Sequence, residues 1–169
     1  MKVSDMTQDD INAALAAFDT SIAEQTTPES SWTALQDLSR KLIGAKLFTI
    51  MTVDMKNEVA RREYTSDAEN YPVSGTKPIR YDRWFDIVHK QRQSFVANTI
   101  SEIATVFPDY ETIKSLGCGS VINIPVVIAG QLLGTVNCLD VEHHYDSQKI
   151  VLSQHLAIPA KLAFLAASR

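Results

Sequence analysis

Leu116-Gly-Cys-Gly-Ser-Val-Ile-Asn-Ile-Pro-Val-Val-Ile-Ala-Gly-Gln-Leu-Leu-Gly-Thr-Val-Asn-Cys-Leu-Asp140 reads as two long apolar strands joined at Ala129-Gly130. A two-residue loop there sets Ile128 opposite Gln131 and Pro125 opposite Gly134. Ile122, Ile124, Val126 and Ile128 then share one face, and Val121, Asn123, Pro125 and Val127 the other. Both faces are largely apolar, so each needs a cover. In this register Cys138 pairs with Val121, on the face away from Cys118, which predicts free thiols rather than a disulfide.

The bulk composition sets the class. A chain of 169 residues fits one domain that buries a sizeable core without a metal or disulfide staple. The 45% hydrophobic and 21% charged residues are those of a soluble globular protein, and no window approaches the roughly 18 apolar residues of a membrane span. The N-terminal Met1-Lys-Val-Ser-Asp-Met-Thr-Gln-Asp-Asp10 has neither a signal peptide's apolar core nor a transit peptide's Arg-rich character, and two reduced cysteines agree with a cytoplasmic address. A net charge of -4 with scattered basic residues argues against a nucleic-acid partner. His143 and His144 are adjacent, His89 and His155 stand alone, and no Cys/His spacing suits zinc, so no metal site is expected.

Outward from the hairpin, Thr7-Gln-Asp-Asp10 forms a capping box that opens a helix with Ile11, Leu15, Phe18 and Ile22 on one face, through about Glu24. Pro28 starts a second helix carrying Trp32, Leu35, Leu38 and Leu42, which Gly44 closes. Lys46 to Asp54 and Glu58 to Thr65 alternate as strands about the turn Lys56-Asn57. Ser66 to Tyr81, rich in Pro, Gly and small polar residues, is a loop and a candidate lid. A short helix around Trp84, Phe85, Ile87 and Val88 leads to a strand at Ser94 to Ala97. A helix capped by Asp109 stops at Gly117. The last helix begins at Tyr145-Asp146-Ser147, with a kink expected at Pro159.

This element order resembles that of the GAF domain. Pro125, nine residues before Gly134 with a glycine at the intervening turn and an apolar run after it, looks like that family's final hairpin, and the likeness runs from about Trp32 to the C-terminus. It implies an α+β fold, GAF-like and so related to profilin-like and PAS folds. A central antiparallel sheet would carry the terminal helices on one face and a small-molecule pocket under loops and short helices on the other. Residues 1–27 would be an N-terminal helix and linker, and 28–169 the GAF domain proper. It also implies homodimerisation. Ile11, Leu15 and Phe18, with Ile158, Leu162 and Leu165, would pack on the chain's own sheet, and the N- and C-terminal helices that carry them would add the dimer contact, since the last helix is apolar around much of its circumference.

The family's uses include binding cyclic nucleotides, bilins, haem or metabolites, and reduction of free methionine sulfoxide. A covalent bilin needs a cysteine beside a histidine in the pocket helices, and this chain has none. The reductase subgroup is similar in size and in a cysteine placed like Cys118. It departs where a glutamate should follow the hairpin serine, since Val121 follows Ser120, and where the last strand should hold aspartates, since it offers Asn137 and only Asp140. Cys118 also follows a helix C-terminus, whose negative end disfavours a thiolate, so a packed thiol is its simpler reading.

The expected function is therefore a small-molecule-binding sensory module without its own output domain, acting through a separate effector protein. The alternatives are a Cys118-dependent enzyme and a structural dimerisation domain. No cofactor is expected, and the ligand is unnamed. Its binding residues would be polar or aromatic groups aimed at the non-helical face: Arg62, Tyr64, Tyr71, Lys77, Trp84, Asn98, Tyr110, Cys118, Ser120 and Asn123. Arg62 and Tyr64 share a face by alternation and would present a guanidinium and a phenol together, unless Arg61 and Arg62 are simply a solvated edge. Asn123, on an apolar face, needs a partner from backbone or ligand.

Overall fold

The computed structural model describes residues 5–168. The N-terminal Met1 to Ser4, part of the segment read above for a leader, lies outside them. Helix α1, Gln8–Glu24, opens on the expected capping box, with Thr7 Oγ1 accepting from the Asp10 N–H and the Asp10 carboxylate from the Thr7 N–H. Helix α2, Pro28–Leu42, has proline in its first turn, and Gly44, at φ 78°, ends it. Strands β1 (Leu47–Asp54) and β2 (Val59–Thr65) form the first hairpin. The following loop contributes a two-residue strand β3, Lys77–Pro78, that pairs with β2. Next come α3 (Arg83–Phe85), a π-helical turn (Asp86–Lys90), β4 (Phe95–Ala97), α4 (Ile100–Ala104) and α5 (Tyr110–Ser115). Strands β5 (Ser120–Ile128) and β6 (Gln131–Asp140) make the long hairpin, followed by α6 (Ser147–Ser153) and α7 (Ala157–Ala167).

The six strands form one antiparallel sheet in the order β3-β2-β1-β6-β5-β4. The α+β architecture is as the sequence predicts. Phe48, Ile50, Ile122, Ile124, Val126, Val136 and Cys138 turn to the helices and pack with Leu35, Leu38, Leu156 and Phe164. Leu47, Val121 and Leu139 turn the other way, under α4 and α5, with Ile103, Val106 and Ile113. α1 spends its stripe of Ile11, Ala14 and Phe18 in that first core and packs on α2.

Two β-bulges correct the expected registers. Ile128 does face Gln131, but between Val126 and Val127 the pairing shifts, so Pro125 faces Thr135 and Val126 faces Gly134. Leu133 is the extra residue. Cys138 consequently faces Ile122 rather than Val121, and Asn123 faces Asn137. Both cysteines are free, Cys138 in the helix-side core and Cys118 in the opposite one. The second bulge lies between Ile50 and Met51, where Glu63 is the extra residue, so that Met51 faces Arg62 while Ile50 faces Tyr64. One inserted residue reverses every side chain beyond it.

The last helix also departs from expectation in phase. Ile158, Leu162 and Leu165 do not pack on the sheet; they are 71%, 46% and 51% exposed, while Leu156, Ala160, Ala163 and Phe164 fill the core. Ahead of Pro159 the backbone tightens into a 3-10 turn at Gln154–Leu156, because proline offers no N–H to continue the α-helical ladder. The run Ser147–Ala167 is long and apolar enough by composition to cross a membrane, with mean hydropathy 1.5 and 33% of that window buried in the fold. A count of consecutive apolar residues misses it because Gln154, His155 and Lys161 interrupt the run.

Candidate functional site

A cavity of about 270 Å³ lies on the sheet face opposite the long helices, roofed by the 66–81 loop, α3, the π-turn and the chain between α4 and α5. Most of its wall is apolar, from Met51, Val53, Phe85, Val106, Phe107, Ile113, Leu132 and others. Its floor carries a line of polar groups. The Trp84 indole N–H donates to Asn123 Oδ1 at 2.9 Å, Asn123 Nδ2 to Asn137 Oδ1 at 2.7 Å, and Asn137 Nδ2 to Thr49 Oγ1 at 3.2 Å. The strands dictate this line: Asn123, Asn137 and Thr49 are direct cross-strand partners on β5, β6 and β1. Each buried amide thereby finds a side-chain partner, and Asn123 needs neither backbone nor ligand to satisfy it.

A second polar group fixes the roof. Arg62 stacks over the Tyr71 ring, its carbon 3.7 Å from the ring centroid, and donates to the Pro72 carbonyl at 2.7 Å. The Tyr71 hydroxyl donates to Asp109 at 2.6 Å, and the same carboxylate lies 3.9 Å from Arg62. Burial, with the Asp109 carboxylate next in effect, pushes the Tyr71 phenol well above its usual range, so it stays a hydrogen-bond donor. The Arg62 N–H donates to Ser74 Oγ and the Ser74 N–H to the Arg62 carbonyl. The loop is thus tied to β2 at its middle and, through Tyr71, to the N-terminus of α5. Asp109 precedes α5 as expected, but its side chain makes no cap because Tyr71 takes it.

Of the residues singled out in the sequence, the cavity wall gathers Arg62, Tyr71, Lys77, Trp84 and Asn123. The other five lie elsewhere. Tyr64 is on the helix side, its hydroxyl donating to Gln36 at 2.6 Å, because the Glu63 bulge separates it from Arg62. Asn98 bonds both the N–H and the carbonyl of Tyr145 and so pins the turn after β6. Tyr110 packs in the pocket-side core outside the cavity wall. Ser120 is fully buried and donates to the Asp140 carbonyl at 3.3 Å. Cys118 is 4% exposed among Leu47, Val121 and Leu139. Burial, and to a smaller degree Asp140, push its thiol up to about 11 against the pull of Lys46, so it stays protonated near neutral pH.

Sequence reasoning missed Thr49, Asn137, Asp109 and His89, all in the wall. Asn137 carried the same signal as Asn123, an amide on an apolar strand, but the unbulged register set it out of line. His89 stacks on Phe85 with ring centroids 4.6 Å apart, and its buried Nδ1 has no partner. Among the described residues no group of three His, Cys, Asp or Glu side chains is placed to hold a metal ion.

The sequence matches no protein-family model and no curated protein. The fold does have relatives among solved structures. The GAF domain of a phosphoenolpyruvate-protein phosphotransferase from Acinetobacter superposes with TM-score 0.71 at 9% identity, over 96% of this chain and 95% of that one. The corresponding GAF domain from Coxiella burnetii gives 0.68 at 14% identity, over 92% and 91%. A far-red absorbing domain with bound biliverdin gives 0.62 at 17% identity, over 92% and 99%. The fold of this chain is that of a GAF domain.

Proposed function

We propose that this protein is a sensory module that binds a small organic molecule between its sheet and the 66–81 loop and passes the signal to a separate effector. The observation that carries this reading is the cavity itself: apolar walls, a satisfied polar line across the floor, and a roof tied down by Arg62 and Tyr71. A pocket with a mainly apolar lining and a few fixed polar groups is the usual form of a small-molecule site. One structural neighbour is described with biliverdin bound, so this fold accommodates a ligand. The module acts as a homodimer through α6 and α7: Ile158, Leu162 and Leu165, exposed at spacings of four and three residues, form one stripe of α7, and Val151 is exposed on α6. Two unpaired cysteines fit a reducing, cytoplasmic setting.

Native mass spectrometry of the protein as purified, with a denatured control, tests the reading. The expected result is a discrete added mass on the native protein that disappears on denaturation. A bare protein that also binds nothing in a metabolite screen overturns it.

A further inference from the structure

The charges in the cavity wall are matched except at one place. Arg61 donates to Glu63 at 2.6 Å, Arg62 is held by Pro72, Tyr71 and Asp109, and Arg80 lies 4.0 Å from Asp82. The wall's two carboxylates are also committed, Asp109 to Tyr71 and Asp82 to the Phe85 N–H at 3.0 Å. Lys77, on the exposed strand β3 at the rim of the cavity, has no hydrogen-bond or ion-pair partner among the described residues. A lysine on the rim can bring its ammonium to the mouth of an apolar cavity, where it favours an anion and disfavours a cation.

Deepening the reading of this cavity as a ligand site, we propose that the ligand is a small apolar carboxylic acid. Its hydrocarbon body lies among Met51, Phe85, Phe107 and Leu132, and its carboxylate meets Lys77. A dianionic phosphate would call for several free cations or a cluster of backbone N–H groups, and the arginines here are already engaged. The cavity's 270 Å³ is below the roughly 300 Å³ at which drug-sized pockets begin, so the body is a single ring or a short chain rather than a tetrapyrrole. The unpartnered His89 Nδ1 offers a hydrogen bond to one further polar group on that body.

Calorimetric titration of the intact protein with 4-phenylbutyrate, its amide and 4-phenylbutylamine tests the proposal, with octanoate as the chain-bodied acid. The acid should bind about two- to fivefold more tightly than the amide, and the amine more weakly still. Lys77→Ala should erase the preference for acid over amide while leaving affinity for the amide unchanged, and Lys77→Glu should reverse it. Tighter binding of octanoate assigns alkyl acids and tighter binding of 4-phenylbutyrate aryl acids, either result supporting the class. Equal affinity for acid and amide, or a preference that survives Lys77→Ala, overturns this proposal and leaves the ligand site standing. If none of the compounds binds the proposal is overturned, and if the purified protein also shows no ligand mass the site falls with it.

Discussion

Gly134 stands where β6 passes so close to β1 that a Cβ would lie 1.9 Å from the Met51 carbonyl oxygen. Gly134→Ala must therefore displace the strand that carries Met51 and Thr49 into the cavity, and we expect a loss of about 3 kcal/mol in urea unfolding. Ala129 is the opposite case: it and Gly130 both adopt positive φ, 51° and 78°, in a turn that suits Asn-Gly. Ala129→Asn should raise stability by about 0.5–1 kcal/mol in the same assay. The two buried thiols give a pH prediction. Burial pushes Cys118 from 9.0 up to about 11 and Cys138 from 9.0 up to about 12, so the folded state holds these protons more tightly than the unfolded chain. Stability from this source is complete below about pH 9 and is lost as the pH rises through the folded values. The urea midpoint should fall between pH 8.5 and about pH 11, and Cys118→Ala should flatten part of that fall. A midpoint constant over that range would contradict the burial of both thiols.

The strand bearing Arg62 and Tyr64 turns the first to the cavity and the second to the helices. Arg62→Ala removes the stacking on Tyr71 and the bond to Pro72, so amide exchange in residues 70–75 should quicken at least several-fold, with weaker ligand binding. Tyr64→Phe removes only the bond to Gln36, costing about 1 kcal/mol in stability with binding unchanged. Matching effects of the two substitutions on loop exchange would refute this division. The elements themselves were legible because each has local chemistry: the capping box at Thr7, Pro28 in a first turn, the Ala129-Gly130 loop. The bulges were not. Nothing in Val-Ala-Arg-Arg-Glu-Tyr-Thr marks which residue is inserted, and in β5–β6 both faces are apolar, so a slip of one residue leaves the pattern equally good. The β5–β6 bulge is what paired Asn123 with Asn137, and the β1–β2 bulge what parted Arg62 from Tyr64. Asp109 was misread for a related reason: its place before α5 is that of a cap, and only the distant Tyr71 shows where its carboxylate goes.

The sheet separates the cavity from the long helices by a single layer, so a ligand that moves β1, β5 or β6 also moves the core in which α2 and α7 sit. On the far side of α7 the apolar stripe is exposed among the described residues, and a second copy laid against it would place two such sheets back to back through their helices. If so, the double variant Ile158→Glu/Leu165→Glu should sediment as a monomer where the parent is a dimer, because each protomer would bring two carboxylates into a desolvated helix pair. Val73→Glu, which replaces another exposed apolar residue on the roof loop, should leave the dimer intact. The same dimer makes a prediction about signalling: with a ligand bound, amides in residues 66–81 should gain protection, and exchange along residues 157–167 should change in the parent but not in the monomeric variant. A parent that is monomeric at every concentration would remove the interface. A change along 157–167 that persists in the monomer would show that the signal ends at the helix and does not depend on the second copy.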